Sequence, residues 1–334
     1  MKHVVILNDL KESDIRPDHM YAQYKQMVQQ DIPVYFSNPL SCVEVSCPAC
    51  SFNKHKRSFL VMGLSYKICS QCDSWYVSPR PKANALATFF NEAPSALFAR
   101  ERFSGSAIPA RSSEVFSYRL QWIQDLIEEH CPQATSYVDY GGSYLSFLEL
   151  LHQKGIFQKI VVFDPQHKTA GEALSPGVGG TEWPLKEGTV DMIAAFEQIE
   201  RAFSPSELIQ QAASGLKKGG LFVLTTATSS GFEYKTLGEH SPNLNPLDRM
   251  NLLSFEQILI LLRNAGLHVI EASTPGRLDV EIVKKVFLKN PKVFDDGFWS
   301  YFFKQGSEEA CRQLQEFLQQ FQLSSHVRIA AVKQ

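Results

Sequence analysis

The 334-residue sequence has no run of about 18 apolar residues, the length that a membrane-spanning helix needs, so no membrane partner is expected. Its first stretch, MKHVVILNDLKESD, contains a short apolar segment before charged residues and no signal-peptide core. We therefore expect a cytoplasmic protein. An excess of charge of one sign is also absent, because 33 basic and 35 acidic residues leave a net charge of -2. This balance argues against a nucleic-acid partner.

Cysteine is scarce, with seven residues, and four of these follow a regular pattern. Cys47-Pro-Ala-Cys50 is followed, after residues 51–68, by Cys69-Ser-Gln-Cys72. Two such pairs at this distance can place four thiolates tetrahedrally around one Zn²⁺. A redox dithiol is the alternative, but it is typical of a single pair beside a βαβ unit. Four thiolates leave no open coordination position, so we expect a structural zinc.

Composition and periodicity divide the chain into four parts. Residues 1–41 are polar with weak helical periodicity and predict an arm, and 42–81 predict a zinc-binding ribbon. Amphipathic patterns over 82–135 predict a helical connector. From residue 136 strand and helix patterns alternate, which predicts an α/β domain with a mostly parallel sheet over 136–334 and a helical insert over 280–323.

The segment VDYGGSYLSFLELL, residues 138–151, predicts a buried strand, a tight turn and an amphipathic helix. In an α/β domain this unit is where a nucleotide-like ligand meets the carboxyl ends of the strands. Gly141 and Gly142 allow the backbone to approach such a ligand closely. Asp164 ends the second predicted strand, KIVVFD, where a carboxylate can accept both ribose hydroxyls. The alternative is an ordinary turn that binds no ligand.

Later segments predict the remaining strands: a short third strand near 178–182, then VDMIAAF, LFVLTTA, LHVIEAST and the final HVRIAAVK. Two strands after the fifth, joined by an insert, match a seven-stranded methyltransferase topology better than a dehydrogenase. No GxGxxG follows the first strand, which also disfavours a nicotinamide-dependent dehydrogenase.

The chain resembles class I S-adenosylmethionine-dependent methyltransferases that carry an N-terminal four-cysteine zinc motif. Such proteins are common in clusters for polysaccharide and deoxysugar biosynthesis, and some are sugar C-methyltransferases. The resemblance runs through CPAC, CSQCDSWYVSPRP, VDYGGSYLSFLELL, VDMIAAFEQIER, LKKGGLFVLTT, MNLLSFEQILILLRNAG, STPGRLDVEIV and LSSHVRIAAVK. It implies a Rossmann-like seven-stranded methyltransferase sheet with a small N-terminal zinc-ribbon domain.

The resemblance also implies a cofactor site for S-adenosylmethionine. Asp164 would hold the ribose, and Gly141, Gly142 and Ser143 would lie against the methionine moiety. Asp139 would orient the loop or reach the cofactor amino group through water, with a simple cap of the turn as the alternative.

The acceptor implied by the resemblance is a sugar or nucleotide-sugar. Phe196 and Glu197, after the fourth strand, would border cofactor and acceptor, although Phe196 also fits the core. Removing an acceptor proton requires a base. Glu239 and His240, in the long segment 228–252, are the candidates, and a solvated surface His is the alternative.

The chain departs from the family pattern at four positions. Ser143 and Leu145 stand where the loop usually has glycine, and Arg201 and Arg249 stand where relatives have histidine. The arginines could bind the diphosphate of a nucleotide-sugar, or form surface salt bridges. The loop departures favour an alternative function: a catalytically silent methyltransferase fold that serves as a binding or scaffold protein.

Overall fold

A mixed sheet of eight strands lies at the centre of the part of the chain that the computed structural model describes, which comprises residues 11, 17–103, 115–142, 145–165, 171–293 and 297–334. In chain order the strands are β1 Cys42–Val43, β2 His55–Val61, β3 Leu64–Cys69, β4 Trp75–Val77, β5 Arg80–Pro81, β6 Ser136–Tyr140, β7 Lys159–Phe163, β8 Ala173–Ser175, β9 Val178–Gly180, β10 Val190–Phe196, β11 Leu216–Ala227, β12 Asn251–Leu252, β13 Leu267–Ser273 and β14 His326–Lys333.

The order of the strands in the large sheet is β13-β14-β11-β10-β6-β7-β9-β8. Five neighbouring strands, from β11 to β9, run parallel, and β14 runs antiparallel between β11 and β13. The carboxyl ends of the parallel strands and the start of β14 therefore lie at one edge, which we call the carboxyl edge. This topology confirms the predicted α/β methyltransferase sheet, to which β8 adds a short eighth strand.

The helices are α1 Asp18–Phe36, α2 Ala83–Glu92, α3 Pro94–Arg102, α4 Phe116–His130, α5 Leu145–Gln153, α6 Pro205–Gly215, α7 Phe232–Leu237, α8 Phe255–Asn264, α9 Asp279–Lys289, α10 Gly297–Gln305 and α11 Glu308–Gln320. Within the described residues, none of them is long and apolar enough to cross a membrane. The last three lie in the segment predicted as a helical insert and share a core of their own around Phe287, Phe303 and Leu318.

Alternating side chains of the large sheet point into two separate cores, as the strand period of two requires. One face, with Tyr137 and Met192, packs against α4 and α5. The other face, with Val138 and Ile193, packs against α6 and α8, and Cys47 belongs to that same core. The four-cysteine region is thus attached directly to one face of the α/β domain.

The small N-terminal sheet has the order β12-β4-β3-β2 and includes a strand from far along the chain. β12 belongs to segment 228–252, which the sequence predicts as one long loop. The structure shows α7 and β12 there, because buried side chains such as Leu247 and Met250 pack into the core of the N-terminal sheet. This packing explains why a segment that the local sequence predicts as a loop forms a helix and a strand.

A fully buried arginine joins the N-terminal sheet to the α/β domain. The Arg80 side chain donates to the carbonyls of Val77 at 3.2 Å and Phe203 at 2.6 Å, and to Oδ1 of Asn251 at 3.0 Å. The Asn251 amide in turn donates to the carbonyl of Ala202 at 2.7 Å. Buried acceptors that lose their donor are strongly destabilising, so this junction holds the two parts together.

We expect Arg80→Met to lower the free energy of unfolding by about 3 kcal/mol or more, because three acceptors lose their donor, two of them in fully buried hydrogen bonds. Urea denaturation measures this. Arg263→Met, at the exposed end of α8, is the matched control and should change stability by less than about 0.5 kcal/mol. A wild-type midpoint for Arg80→Met would show that the junction is not structural.

Candidate active site

Two consecutive glycines form the turn after β6. Their φ angles are +122° for Gly141 and +59° for Gly142, a region that side chains strongly disfavour. An added Cβ at Gly142 would also lie 2.8 Å from Cγ1 of Val162. The Gly141 amide donates to the carbonyl of Phe163 at 2.7 Å. Glycine is therefore required here by conformation and by space, while Ser143 lies outside the described residues.

Asp164 follows β7 directly beside this turn. Its Oδ2 lies 3.8 Å from the position that a Cβ on Gly142 would take. The structure thus brings together Gly142 and Asp164, which the sequence predicts as parts of one cofactor site. Parallel pairing of β6 with β7 causes this, because both strands end at the carboxyl edge.

Asp139 is buried below the turn and holds its shape. Oδ1 accepts a hydrogen bond from the Gly142 amide at 3.1 Å, and Oδ2 accepts one from the Tyr137 hydroxyl at 3.2 Å. Burial raises the pKa of Asp139 to about 6, although the charge of Arg119 opposes this rise. These bonds are those of a turn cap, and a contact of Asp139 with the cofactor amino group remains a prediction.

Phe196, the last residue of β10, is 3% exposed. The Arg119 guanidinium lies 3.9 Å from its ring centroid, and the rings of Trp122 and Phe147 lie at 6.4 and 6.1 Å. Phe196 therefore fills the core between the sheet and helices α4 and α5. A role at the border of a cofactor remains a prediction.

Glu197 adopts a left-handed backbone conformation with φ of +57°, which is uncommon for a residue with a side chain. Its Oε1 accepts a hydrogen bond from Oγ1 of Thr225 at 2.7 Å and lies 2.8 Å from Nε2 of His326. Burial alone would raise the pKa of Glu197, but His326 and hydrogen bonds that include one from Glu200 hold that pKa well below its ordinary value.

Glu200 is the second carboxyl of this cluster. It is 2% exposed and accepts a hydrogen bond from Oγ1 of Thr226 at 2.5 Å. Its burial and the neighbouring charge of Glu197 raise its pKa, so Glu200 is the protonated member of the pair and donates to Glu197. We call Glu197, Glu200, Thr225, Thr226 and His326 the Glu-His cluster.

Sequence reasoning did not find His326. The available signal was its position as the first residue of HVRIAAVK, a strand that follows an insert. Because β14 is antiparallel to its neighbours, its first residue lies at the carboxyl edge, opposite Ala227. Only the position of this strand in the sheet places His326 next to Glu197.

The predicted bases Glu239 and His240 lie at the N-terminal sheet. Oε1 of Glu239 accepts a hydrogen bond from Nη2 of Arg57, on β2, at 2.6 Å. His240 is exposed at the end of a short 3₁₀ turn, Gly238–His240. The contacts of Glu239 are thus with the ribbon, and the catalytic role of the two residues remains a prediction.

Two arginines lie between the N-terminal sheet and the loop after β10. Nη2 of Arg201 pairs with Oδ1 of Asp248 at 3.3 Å, and Oδ2 of Asp248 accepts from the Tyr24 hydroxyl at 2.9 Å. Nη1 of Arg249 donates to the carbonyl of Asn243 at 2.6 Å. Its buried Nε has no hydrogen-bond partner among the described residues. The charge of Arg249 is close enough to act on Glu200, and Arg201 follows Glu200 in the chain, so both arginines lie near the Glu-His cluster.

The four predicted metal ligands, Cys47, Cys50, Cys69 and Cys72, lie together in the ribbon. Their sulfur atoms all lie within 4.8 Å of one another, with Cys47 and Cys72 at 3.6 Å and Cys50 and Cys69 also at 3.6 Å. Sulfur atoms of a tetrahedral zinc site with bonds of about 2.3 Å are about 3.8 Å apart. The cluster can therefore hold one metal ion with little rearrangement.

Residues 112–272 match the family of methyltransferase domains. The matched stretch runs from before β6 into β13. It contains the glycine turn, Asp164 and the two carboxyls of the Glu-His cluster. This part of the chain is therefore a methyltransferase domain. No curated protein matches the chain.

Solved structures with a similar fold include a SAM-dependent methyltransferase from Thermotoga maritima, at 18% identity and a TM-score of 0.41, covering 75% of this chain and 98% of that one. Another is the geranyl diphosphate C-methyltransferase from Streptomyces coelicolor, at 16% identity and a TM-score of 0.39, covering 65% of this chain and 80% of that one. At these values the likeness carries no inference about the substrate.

The raised pKa of Asp139 leads to a pH prediction. The folded chain keeps this proton up to about pH 6, whereas an unfolded carboxyl releases it near pH 3.9. The folded state thus binds more protons, and its stability falls as the pH rises from about 4 to about 7, by up to about 3 kcal/mol from this group. Urea denaturation at a series of pH values measures the slope.

Asp139→Asn should remove this part of the slope, because a neutral amide replaces the titrating carboxyl. Asp125→Asn, at an exposed position of α4, is the matched control and should keep the wild-type slope. Equal slopes for wild type and Asp139→Asn would contradict the assignment.

Proposed function

Since the chain carries a class I S-adenosylmethionine-dependent methyltransferase domain, we propose that it transfers a methyl group to a sugar, a nucleotide-sugar or a related polysaccharide precursor. The observation that carries the cofactor half is the position of Asp164 beside Gly142 at the carboxyl edge. A carboxylate at this place can accept hydrogen bonds from both ribose hydroxyls of the bound cofactor.

The glycine turn would allow the cofactor to approach the backbone closely, but it would not offer free amide groups to the cofactor. The amides of Gly141 and Gly142 already donate to Phe163 and Asp139, so the turn is rigid before any ligand arrives. Bound cofactor supplies an electrophilic methyl group on a sulfonium. Transfer is an in-line displacement, in which the protein mainly aligns donor and acceptor and excludes water.

The charges near the Glu-His cluster support an anionic acceptor. Arg249 has a buried Nε with no hydrogen-bond partner among the described residues, and Arg201 is about one-third exposed. Guanidinium groups bind phosphate oxygens in a bidentate manner, which suits the diphosphate of a nucleotide-sugar. Glu239 and His240 remain candidates for the base in this proposal.

One observation favours the alternative of a catalytically silent methyltransferase fold that acts as a binding or scaffold protein. The carboxamide of Gln198 lies against Gly141, where an added Cβ would overlap it. Gln198 is buried and also donates from Nε2 to the carbonyl of Phe196 at 3.2 Å. A ligand that approaches this side of the turn must displace the Gln198 side chain.

Calorimetric titration with S-adenosylmethionine and S-adenosylhomocysteine separates the two functions. We expect binding by the wild type and at least about tenfold weaker binding by Asp164→Ala, since the hydrogen bonds to a charged carboxylate are lost. Asp125→Ala, at an exposed position of α4, should bind like the wild type.

The complex with S-adenosylhomocysteine is then titrated with UDP as a probe of the acceptor site. Arg249→Met should weaken UDP binding and leave cofactor binding unchanged. Absence of cofactor binding at millimolar concentration would reject the enzyme and support the silent fold. Cofactor binding without UDP binding would reject only the nucleotide-sugar acceptor.

We further propose that Cys47, Cys50, Cys69 and Cys72 hold one structural Zn²⁺. Metal analysis of freshly purified protein should give about one zinc per chain, and Cys47→Ser should lose the metal, because the site then lacks one thiolate. Cys131→Ser, outside the cluster, is the matched control. A wild-type protein with less than about half a zinc per chain would reject the site.

A further inference from the structure

The Glu-His cluster has the arrangement of a base held by a carboxylate. Nε2 of His326 lies 2.8 Å from Oε1 of Glu197, and the same oxygen accepts a hydrogen bond from Thr225. A nucleophile or base oriented by a second group, itself fixed by a third, is a recurring catalytic pattern. This geometry therefore indicates a chemical role for the cluster in addition to packing.

The hydrogen bonds decide which imidazole nitrogen is basic. Glu197 is the ionised carboxyl, so it can only accept, and Nε2 of a neutral His326 must carry the hydrogen. Nδ1 then carries the lone pair, and it has no hydrogen-bond partner in the part of the chain that the structure describes. The His326 side chain is 42% exposed, against 25% for Glu197, so a molecule at the carboxyl edge can reach the ring.

The two carboxyls, of which Glu200 is buried and Glu197 is partly exposed, carry one negative charge between them. Glu200 is protonated and donates to Glu197, so the pair avoids the repulsion of two charges. The remaining charge faces His326 and stabilises the imidazolium that forms when the ring takes a proton. The left-handed backbone of Glu197 is a local strain that the surrounding bonds maintain, and such strain clusters at functional sites.

The position of the cluster suits an acceptor. β10, which is followed by Glu197, lies between β6, which leads to the glycine turn, and β11, which is paired with β14. The proposed cofactor site is thus on one side of β10, and His326 is on the other. A methyl group held above the end of β10 would have the donor on one side and the base on the other.

We propose that His326, oriented by Glu197, is the general base that removes the proton of an acceptor hydroxyl, an inference that rests on the proposed function. The acceptor O–H bond breaks and its proton passes to Nδ1, while the oxygen forms a bond to the methyl carbon. The carbon–sulfur bond breaks, and its electron pair neutralises the sulfonium to give S-adenosylhomocysteine. The imidazolium then releases its proton to water.

The test measures transfer of tritium from methyl-labelled S-adenosylmethionine to UDP-glucose, GDP-mannose and dTDP-rhamnose by the full-length protein. His326→Ala should lower kcat by at least about 100-fold, the range for loss of a general base, with little change in KM for the cofactor. Added imidazole should restore at least a tenth of the lost activity, which a purely structural role would not allow. Calorimetry with S-adenosylhomocysteine checks that the variant is folded.

Two further variants complete the test. Glu197→Gln, at the positioning residue, should lower kcat at least tenfold without rescue by imidazole, because the ring is still present but no longer held. His268→Ala, at an exposed position of β13, is the matched control and should keep wild-type activity.

Activity of His326→Ala near the wild-type level, or a loss that imidazole does not restore, would overturn the role of His326 alone. Loss with imidazole rescue in His240→Ala instead would assign the base to His240. Absence of transfer by the wild type to all three acceptors would overturn the proposed transfer to a nucleotide-sugar, and the role of His326 in it.

Discussion

The side chain of Asn251 holds three parts of the molecule in register. Its backbone pairs with β4, its Oδ1 accepts from Arg80, and its amide nitrogen donates to the carbonyls of Ile199 and Ala202. These bonds are buried, so each is strengthened by the low dielectric and each is expensive to leave unmade. The loop that carries Glu200 and Arg201 is therefore positioned by the N-terminal sheet. A small cysteine-rich unit thereby becomes part of the framework of the methyltransferase domain, since its removal would take away the Arg80 donor of Phe203 and Asn251.

At the centre of the candidate site, two adjacent carboxyls share a single negative charge. Two adjacent carboxyls, one of them buried, cannot both ionise at low energy, and the structure resolves this by leaving Glu197 charged against His326 and Glu200 neutral. Hydroxyls of Thr225 and Thr226, from the neighbouring strand, satisfy one oxygen of each carboxyl. The result is a single negative charge with a fixed direction, which is the arrangement that orients an imidazole and stabilises its protonated form.

The glycine turn combines a backbone conformation that requires glycine with a close neighbouring side chain, that of Gln198. Gly141 and Gly142 keep the conformations that only glycine tolerates well, and Asp139 fixes them from below. The carboxamide of Gln198 covers Gly141, and Leu145 is the first residue of α5, the helix that follows the turn. The backbone of the turn thus allows close approach, while the side chain of Gln198 fills the space beside Gly141.

The sequence alone determined features that depend on neighbours along the chain. Each cysteine pair spans one tight turn, and the β2-β3 hairpin between the pairs brings the two turns together. The glycine turn lies beside Asp164 because consecutive parallel strands end at one edge. The tertiary structure decided the contacts between distant segments. Glu197 and His326 are 129 residues apart, Arg80 and Asn251 are 171 apart, and Arg57 and Glu239 are 182 apart. Local periodicity predicts strands, but it does not specify which strand lies beside which. The insertion of β14 between β11 and β13 therefore placed His326 in the site, and the pairing of β12 with β4 joined the ribbon to the domain.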